Sequence, residues 1–347
     1  MLLLRDAHKG DLKGLTRLAS VLNSVNLPNN EAVLEALLEK SARSFSGRIR
    51  APFAREYLFV LEDVRNRELI GTSLIIAQHG TREAPHIYFQ VSEVEHYSAT
   101  LDRLFRHKVL SIGYNYDGPT EIGGLVVDPP FRAGPDKAGK QLSYVRFLYM
   151  AMHRKLFRER VLAELLPPLL PDSRSLLWEV CGAKFTGLTY KEADRLSRQN
   201  KEFIKELFPA SPIYATLFPE RAQKLIGEVG PETRGVKHLL EKIGFSHVDH
   251  IDPFDGGPHF EADLADISLV RHFRTAKLGA ADFEREAEQM LVAVESNEGK
   301  SRFRAVRTPV RFDDKLAYLP ARAKELLQAE PGTKLAMVPF EGQLPSK

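Results

Sequence analysis

The sequence predicts an α+β fold with strands and helices mixed along the chain, and three observations predict it. Short continuous apolar runs, such as Tyr57-Leu58-Phe59-Val60-Leu61, have the length and residue types of buried strands. Apolar residues at helical spacing recur between them, as in residues 31–41 and 141–157. A strand at 122–127 runs through a glycine-bearing loop into the second of these helices. All-helical and all-strand classes do not fit this mixture. The 347 residues allow two units or one enlarged one, at roughly 100–200 residues per domain.

The N-terminus reads as strand then helix. Leu2-Leu3-Leu4 is the first strand, Asp11 is the expected cap, and residues 12–22 form a helix with Leu12, Leu15, Leu18, Ala19 and Leu22 on one face. Pro28-Asn29-Asn30 is a turn before a second helix at 31–41, with Val33, Leu34, Leu37 and Leu38 inward. Runs 57–61 and 69–76 pair as a hairpin across the polar turn 63–68. Weaker strands fall at 87–94 and 112–116. The strand 122–127 contains Gly123 and Gly124, which point to a bulge or a close ligand approach. Two later phrases, around Gly182 and around Gly244-Phe245, read as helix, glycine cap, strand. Between them lie helical stretches at 201–208 and 220–226. Beyond residue 270 a helix at 281–294 and strands at 303–312 and 334–340 make a small β-rich unit.

Composition removes several classes. Lys and Arg number 49 against 46 Asp and Glu, a net charge of +3, too balanced for a nucleic-acid or anionic-membrane surface. The apolar start is followed at once by Arg5 and Asp6 and is too short for a signal or a membrane span. The lone cysteine, Cys181, excludes a disulfide framework and a multi-thiolate zinc site, and its apolar setting reads as a small buried residue. A reducing cytoplasm suits this usage.

The sharpest local signal is the loop after the 122–127 strand. Gly134-Pro135-Asp136-Lys137-Ala138-Gly139-Lys140 satisfies Gly-x-x-x-x-Gly-Lys, but Gln141 stands where a P-loop needs Ser or Thr for Mg²⁺. Pro135 also removes a backbone donor. The wider phrase, Leu125-Val126-Val127-Asp128-Pro129-Pro130-Phe131-Arg132 and then spaced glycines and a helix, resembles motif A of the GNAT acyl-CoA N-acyltransferases. That resemblance implies a strand, Leu125, Val126 and Val127, presenting backbone to pantetheine. Gly134, Gly139 and the helix N-terminus would hold the coenzyme A pyrophosphate, with Arg132 and Lys140 adding charge. The order of elements, a leading strand, two helices, a hairpin, motif A and a Gly-capped helix, agrees with a GNAT-like fold enlarged by later segments.

Across nearly the whole chain the sequence resembles the arginine N-succinyltransferase family. The matches are Leu27-Pro28-x-Asn30-Glu31, Phe59-Val60-Leu61-Glu62-Asp63, the Leu125…Asp128-Pro129 strand end, Pro212-Ile213-Tyr214, Ile226-Gly227-x-Val229, Leu240-Glu241-Lys242-x-Gly244-Phe245 and Ile251-Asp252-x-Phe254-Asp255-Gly256-Gly257-Pro258. The resemblance implies transfer of succinyl from succinyl-CoA, as co-substrate, to the α-amine of arginine in arginine catabolism. It also implies contact of the backbone at Leu125 with the acyl-CoA, and a homo- or hetero-oligomeric assembly. No metal or prosthetic group is expected. The domain reading is an acyltransferase body at 1–270, with a core at about 1–190 and an added segment at about 191–270, and a C-terminal helix plus β unit at 271–347.

One position departs from the family. Its Gly-x-Val-His-Pro histidine, a proton donor, is Gly230 here, in Gly227-Glu228-Val229-Gly230-Pro231. Nearby histidines are His238, on a helix face, His247 and His250, near a strand where a structural role is the default, and His259, after the Gly256-Gly257-Pro258 turn. His259, Glu228 and Tyr214 are the catalytic candidates. Asp252, Asp255 and Glu261 are candidate partners for a guanidinium, although Asp255 before two glycines also suits a turn without any ligand. A same-fold acyltransferase with another donor or amine, a non-catalytic paralogue or partner subunit, and a P-loop nucleotidase remain as alternatives.

Overall fold

A computed structural model describes residues 1–21, 27–82, 84–197, 200–281, 287–297 and 299–341. Leu22, residues 282–286 of the expected 281–294 helix and the tail 343–347 lie outside the described residues. In chain order the strands are β1 (Leu2–Asp6), β2 (Glu56–Asp63), β3 (Glu68–Ile76), β4 (His86–Ser98), β5 (Arg103–Asn115), β6 (Thr120–Val127), β7 (Arg160–Glu164), β8 (Ile213–Tyr214), β9 (Ser246–Ile251), β10 (Pro258–Asp263), β11 (Arg274–Leu278), β12 (Glu288–Glu295), β13 (Phe303–Asp313), β14 (Leu316–Tyr318) and β15 (Lys334–Pro339). Five helices cover the sheet faces or carry site residues: α1 (Leu12–Val21), α2 (Glu31–Phe45), α3 (Ala138–Met152), α4 (Arg234–Ile243) and α5 (Ala321–Leu327). The mixed α+β class predicted from the sequence holds. The chain forms two compact units, one of residues 1–78, 120–159 and 263–347, the other of 79–119 and 160–262.

In the first unit β1 pairs antiparallel with β2 and with β13, β2 with β3, and β3 with β6. The apolar run in β2 lacks alternation because both faces are covered. Leu58 and Val60 pack with Leu15 and Leu18 of α1 and Leu34 and Leu38 of α2. Tyr57 and Phe59 turn the other way, their rings 4.8 and 5.5 Å from that of Tyr149 on α3. The expected single stripe on α3 widens accordingly. Gln141 to Ala151 are all buried, so that helix is enveloped and not amphipathic in use. On α2, Leu34 and Leu38 face inward as expected, whereas Val33 is exposed. The C-terminal strands are β-rich as read, and they close on themselves: β13 pairs β12, then β15, β11, β14 and β13 again. Met290, Val292, Val306, Leu335 and Met337 fill the ring, and Leu326 and Leu327 of α5 belong to the same cluster.

Two expectations are corrected. Residues 288–295 are strand β12, not helix. The Met-Leu-Val-Ala-Val run has hydrogen-bonding partners on both sides, in β13 and β15, and that pairing overrides a weak helical pattern. Around Gly182 there is no cap and no following strand. The chain passes through a π-helical turn, Trp178–Gly182, into helix Ala183–Thr186 and stops at Gly187, whose φ is +69°. Gly182 is glycine for another reason: a Cβ there would lie 2.3 Å from the Trp178 ring.

The second unit is built on the β4–β5 hairpin, paired from His86↔Asn115 to Ser98↔Arg103. β9 adds to β4, β10 to β9, and β8 to β5. Ile87, Phe89, Leu110, Trp178, Ile204 and Ile251 form its core. Cys181 lies in the same cluster, and burial pushes its thiol up to about 12, which fits its reading as a packing residue.

Asp11 does not cap α1 as expected. Its carboxylate accepts from His8 N at 2.8 Å and from both Arg5 Nη atoms at 2.8 Å, while Arg5 Nε donates to Glu62 at 2.8 Å. The Arg5 and Asp11 side chains are 8% and 5% exposed, so a single loss leaves a buried guanidinium short of its partner. Asp11→Ala is therefore expected to cost about 3 kcal/mol, the low end of the ~3–5 kcal/mol for broken buried pairs, because Glu62 stays in place. Denaturant unfolding of the full chain checks it.

Candidate active site

The first unit carries the loop that resembles an acyl-CoA cradle. Register between β3 and β6 slips between Thr72 and Leu74, leaving Gly124 and Leu125 opposite Ser73 without register partners. Gly124 has φ +56°. This is the bulge that the two glycines predicted, and a bulge turns backbone polar groups out of the ladder. α3 then begins behind Lys137, which is left-handed (φ 52°, ψ 48°) and gives no side-chain cap. Its first N–H groups carry the positive end of a fifteen-residue helix. A Cβ on Gly134 would meet nothing nearer than 3.8 Å, and on Gly139 nothing nearer than 3.7 Å. The fold's own packing does not require glycine at either place.

The cations of this loop are engaged. Arg132 Nε donates to Val127 O at 3.0 Å. Lys140 Nζ donates to Phe340 O and lies over the Tyr144 and Phe340 rings at 4.9 and 4.6 Å. Glu341 takes Lys137 Nζ at 2.9 Å and Arg307 Nη2 at 2.6 Å. Their ion pairs hold the Glu341 carboxyl below its ordinary range. The link from Lys137 through Glu341 to Arg307 was not evident in the sequence, because Arg307 and Glu341 come from segments more than 150 residues away.

In the second unit, a cavity of about 460 Å³ is lined by Gly227, Glu228, Val229, Arg234, Lys237, His247 and Phe260. The Gly-x-Val stretch forms one rim. Its position follows from three hydrogen bonds: Gly227 N to Gly256 O (3.1 Å), Gly230 N to Leu166 O (2.9 Å) and Thr233 Oγ1 to Leu166 O (2.8 Å). Arg234 and Lys237, three residues apart on α4, share one helix face. That helix ends at Gly244, φ +112°, with Phe245 N bonded back to Leu240 O at 3.1 Å. The reversal sends the chain into β9, where His247 stands across from Phe260 of β10, ring centroids 5.6 Å apart. A Cβ built on Gly227 would lie 3.9 Å from His247 Nε2. One carboxylate, two cations and an exposed imidazole thus converge on a cavity of ligand size.

The other sequence candidates fall elsewhere in this unit. Tyr214 is exposed on edge strand β8, its ring 5.8 Å from that of His107. Asp252 and Asp255 build the turn: Asp252 Oδ1 accepts from Phe254 N (2.6 Å) and Asp255 N (3.1 Å), and Asp255 Oδ1 accepts from Gly257 N (2.8 Å). Burial pushes the Asp252 carboxyl up to about 7 and raises that of Asp255. Glu261 is held by Arg160 at 2.7 and 3.1 Å. His259 is fully buried, stacked on His86 with centroids 5.3 Å apart. Burial lowers the His86 imidazole and drives His259 down to about 3. Of the sequence candidates, Glu228 alone lines the cavity. Sequence reasoning missed Arg234 and Lys237, whose one legible signal was their i, i+3 spacing on the helix, and it gave His247, the third residue after the glycine cap, a structural role by default.

The sequence model of one family, described as Arginine N-succinyltransferase beta subunit, matches residues 2–269. The arginine N-succinyltransferases of Yersinia pestis and of Citrobacter koseri are each 30% identical to this chain, over 97% of both lengths. The solved structure of the arginine/ornithine succinyltransferase subunit AI from Pseudomonas aeruginosa superposes with a TM-score of 0.82 at 28% identity, covering 99% of each chain.

A side chain at position 230 would force the backbone around it to shift. A Cβ there would stand 2.7 Å from Pro167 O and 2.9 Å from Leu166 O, both backbone atoms, which move only at a cost. Gly230→His is expected to lower the melting temperature and to reduce any turnover, with Gly230→Ala costing about 1–3 kcal/mol by the same overpacking. A gain of turnover in Gly230→His at unchanged melting temperature is the contrary result.

Proposed function

The chain belongs to the arginine N-succinyltransferase family, and on that premise we propose that it moves succinyl from succinyl-CoA to the α-amine of arginine by direct attack on the thioester. An acyl-CoA co-substrate follows from the family. Succinyl-CoA as the donor and arginine as the acceptor are the finer part of the proposal. The β6 bulge at Leu125, the loop with Gly134 and Gly139 and the start of α3 are assigned to the acyl-CoA. The second-unit cavity is assigned to the amino-acid acceptor, and the observation that carries this is His247 at the wall of the cavity rimmed by the family's Gly-x-Val stretch.

The chemistry sets the roles. An α-amine is mostly ammonium near neutral pH and must lose a proton before it can attack. His247 is assigned to take that proton, in place of a histidine at 230. Arg234 and Lys237 suit the acceptor's carboxylate, and Glu228 suits its guanidinium. This assignment replaces Asp252, Asp255 and Glu261 as guanidinium partners, because turn hydrogen bonds and Arg160 already occupy those carboxylates. As nitrogen bonds to the acyl carbon, charge builds on the carbonyl oxygen, which a backbone N–H donor would hold. Collapse of the tetrahedral centre expels the coenzyme A thiolate, which takes up a proton.

A cytoplasmic, oligomeric enzyme completes the proposal. No helix among the described residues is long and apolar enough to cross a membrane. The Pseudomonas relative is named as a subunit, and the β4–β5 tip exposes Tyr97, Leu101, Leu104 and Phe105. Gly230 also supports a second reading, a partner subunit that binds coenzyme A without turnover.

A thiol-release assay with succinyl-CoA and a panel of amines separates these readings. Release with arginine is expected. Coenzyme A binding without release from any amine would favour the partner subunit, and release with acetyl-CoA alone would refute the donor. His247→Gln is expected to lower kcat by about 10²-fold or more, with KM for acyl-CoA unchanged; an unaltered kcat removes His247 from the mechanism. Glu341→Gln, by releasing Lys137 and Arg307, is expected to lower KM for acyl-CoA by up to about fivefold, the scale of an exposed ion pair. Initial-rate kinetics measure both.

A further inference from the structure

Away from the cavity, the second unit contains a cluster of donors that the proposed reaction does not use. His79 lies in the loop before β4, His86 is the first residue of β4, Glu164 ends β7, and His259 is the second residue of β10. One ligand atom from each of His79, His86 and Glu164 lies within 4.8 Å of the other two. His86 Nε2 stands 3.2 Å from Glu164 Oε1, and His259 Nε2 stands 3.4 Å from the same oxygen. Neither approach is aligned as a hydrogen bond. Both ring nitrogens of His86 and both of His259 are out of solvent and lack a hydrogen-bond partner.

Four such atoms in one place need a cause, since more than about 90% of buried polar groups are satisfied. Packing alone supplies none, because an aliphatic side chain would stack there without leaving nitrogens unpaired. We propose that His79, His86 and Glu164 form a binding site for a divalent transition-metal ion of the Zn²⁺ class, with His259 Nε2 as its fourth donor. Imidazole nitrogens and one carboxylate oxygen are the donor types Zn²⁺ takes, and four-coordination at ~2.0–2.2 Å puts neighbouring donors roughly 3.3 Å apart. The His86–Glu164 and His259–Glu164 pairs, at 3.2 and 3.4 Å, already have that spacing, and no pair among His79, His86 and Glu164 has more than about 1.5 Å to close. A metal here would tie the starts of β4 and β10 to the end of β7. The site is structural in this proposal and independent of the acyltransferase reading.

Zn²⁺ itself is the probe. The full chain, equilibrated with ZnCl₂ and dialysed against metal-free buffer, is expected to retain one Zn²⁺ per chain by elemental analysis. The Co²⁺-loaded protein is expected to show the visible bands of four-coordinate cobalt. X-ray absorption at the zinc edge is expected to show imidazole scattering from at least two ligands, a readout that needs no variant. His79→Ala, at a donor less buried than His86, is expected to weaken retention by more than the about 10–100-fold that outer-shell losses cost, whereas His238→Gln on α4 leaves it intact. Substoichiometric zinc, a zinc edge without imidazole scattering, or full retention in a folded His79→Ala protein would each overturn the site.

Discussion

The three residues after β7 hold the rim of the second unit's cavity in place. Leu165, Leu166 and Pro167 offer backbone polar groups to two stretches of chain that are far apart in sequence. Leu166 O receives Gly230 N at 2.9 Å and Thr233 Oγ1 at 2.8 Å, and Leu165 N donates to Pro258 O at 3.1 Å. The approach is so close that a Cβ on Gly257 would lie 2.4 Å from Leu165 O, and one on Gly230 would lie 2.7 Å from Pro167 O. Two glycines are therefore required by one short backbone segment. Each hydrogen bond is worth only about 0.5–1.5 kcal/mol net. What they fix is position: the Gly-x-Val rim can sit in one place only.

The same constraint explains the unusual Asp252-x-Phe254-Asp255-Gly256-Gly257-Pro258 phrase. The turn must bring Gly257 against Leu165 and present Gly256 O to Gly227 N, 3.1 Å away. Asp252 and Asp255 achieve this by accepting backbone N–H groups within the turn. Phe254 closes it from the other side by stacking on Trp178, centroids 5.1 Å apart at 7°. Carboxylates that read as substrate partners in the sequence are thus spent on geometry. In the proposed reading the substrate-facing charge comes instead from Glu228, Arg234 and Lys237, which line the cavity and take no part in the turn's hydrogen bonds.

Much of the fold is legible in the sequence where local chemistry decides the structure. The β2 run, the Gly244 cap and the Gly123-Gly124 bulge depend on residue types within a few positions, and each stands as the sequence predicts. The helix expected at 281–294 shows the limit. Residues 288–295 are a strand because β13 and β15 flank them, and no local pattern contains that pairing. Gly182 misleads for a similar reason: its cause is the Trp178 ring in space, not a turn in sequence. The cavity is the least legible part. Its members come from a loop, a helix and two strands, and His247 acquires meaning only when the Gly244 reversal lays β9 beside β10.

The glycines separate into two kinds, and the difference bears on function. Gly182, Gly230 and Gly257 are small because the protein's own atoms press on them, so their identity would be kept with no ligand at all. Gly134 and Gly139 meet no such pressure, with open space or ordinary contact where a Cβ would stand, and neither has a positive φ. A residue with low helix propensity in the first turn of α3 is a small standing cost, about 1 kcal/mol relative to alanine in a helix interior. A fold has no reason of its own to keep that cost at Gly139. A phosphate chain at a helix N-terminus is a ligand class that would benefit from bare N–H groups there. Glycine at 134 and 139 therefore supports the acyl-CoA assignment from an independent direction: the absence of an internal reason for the residue.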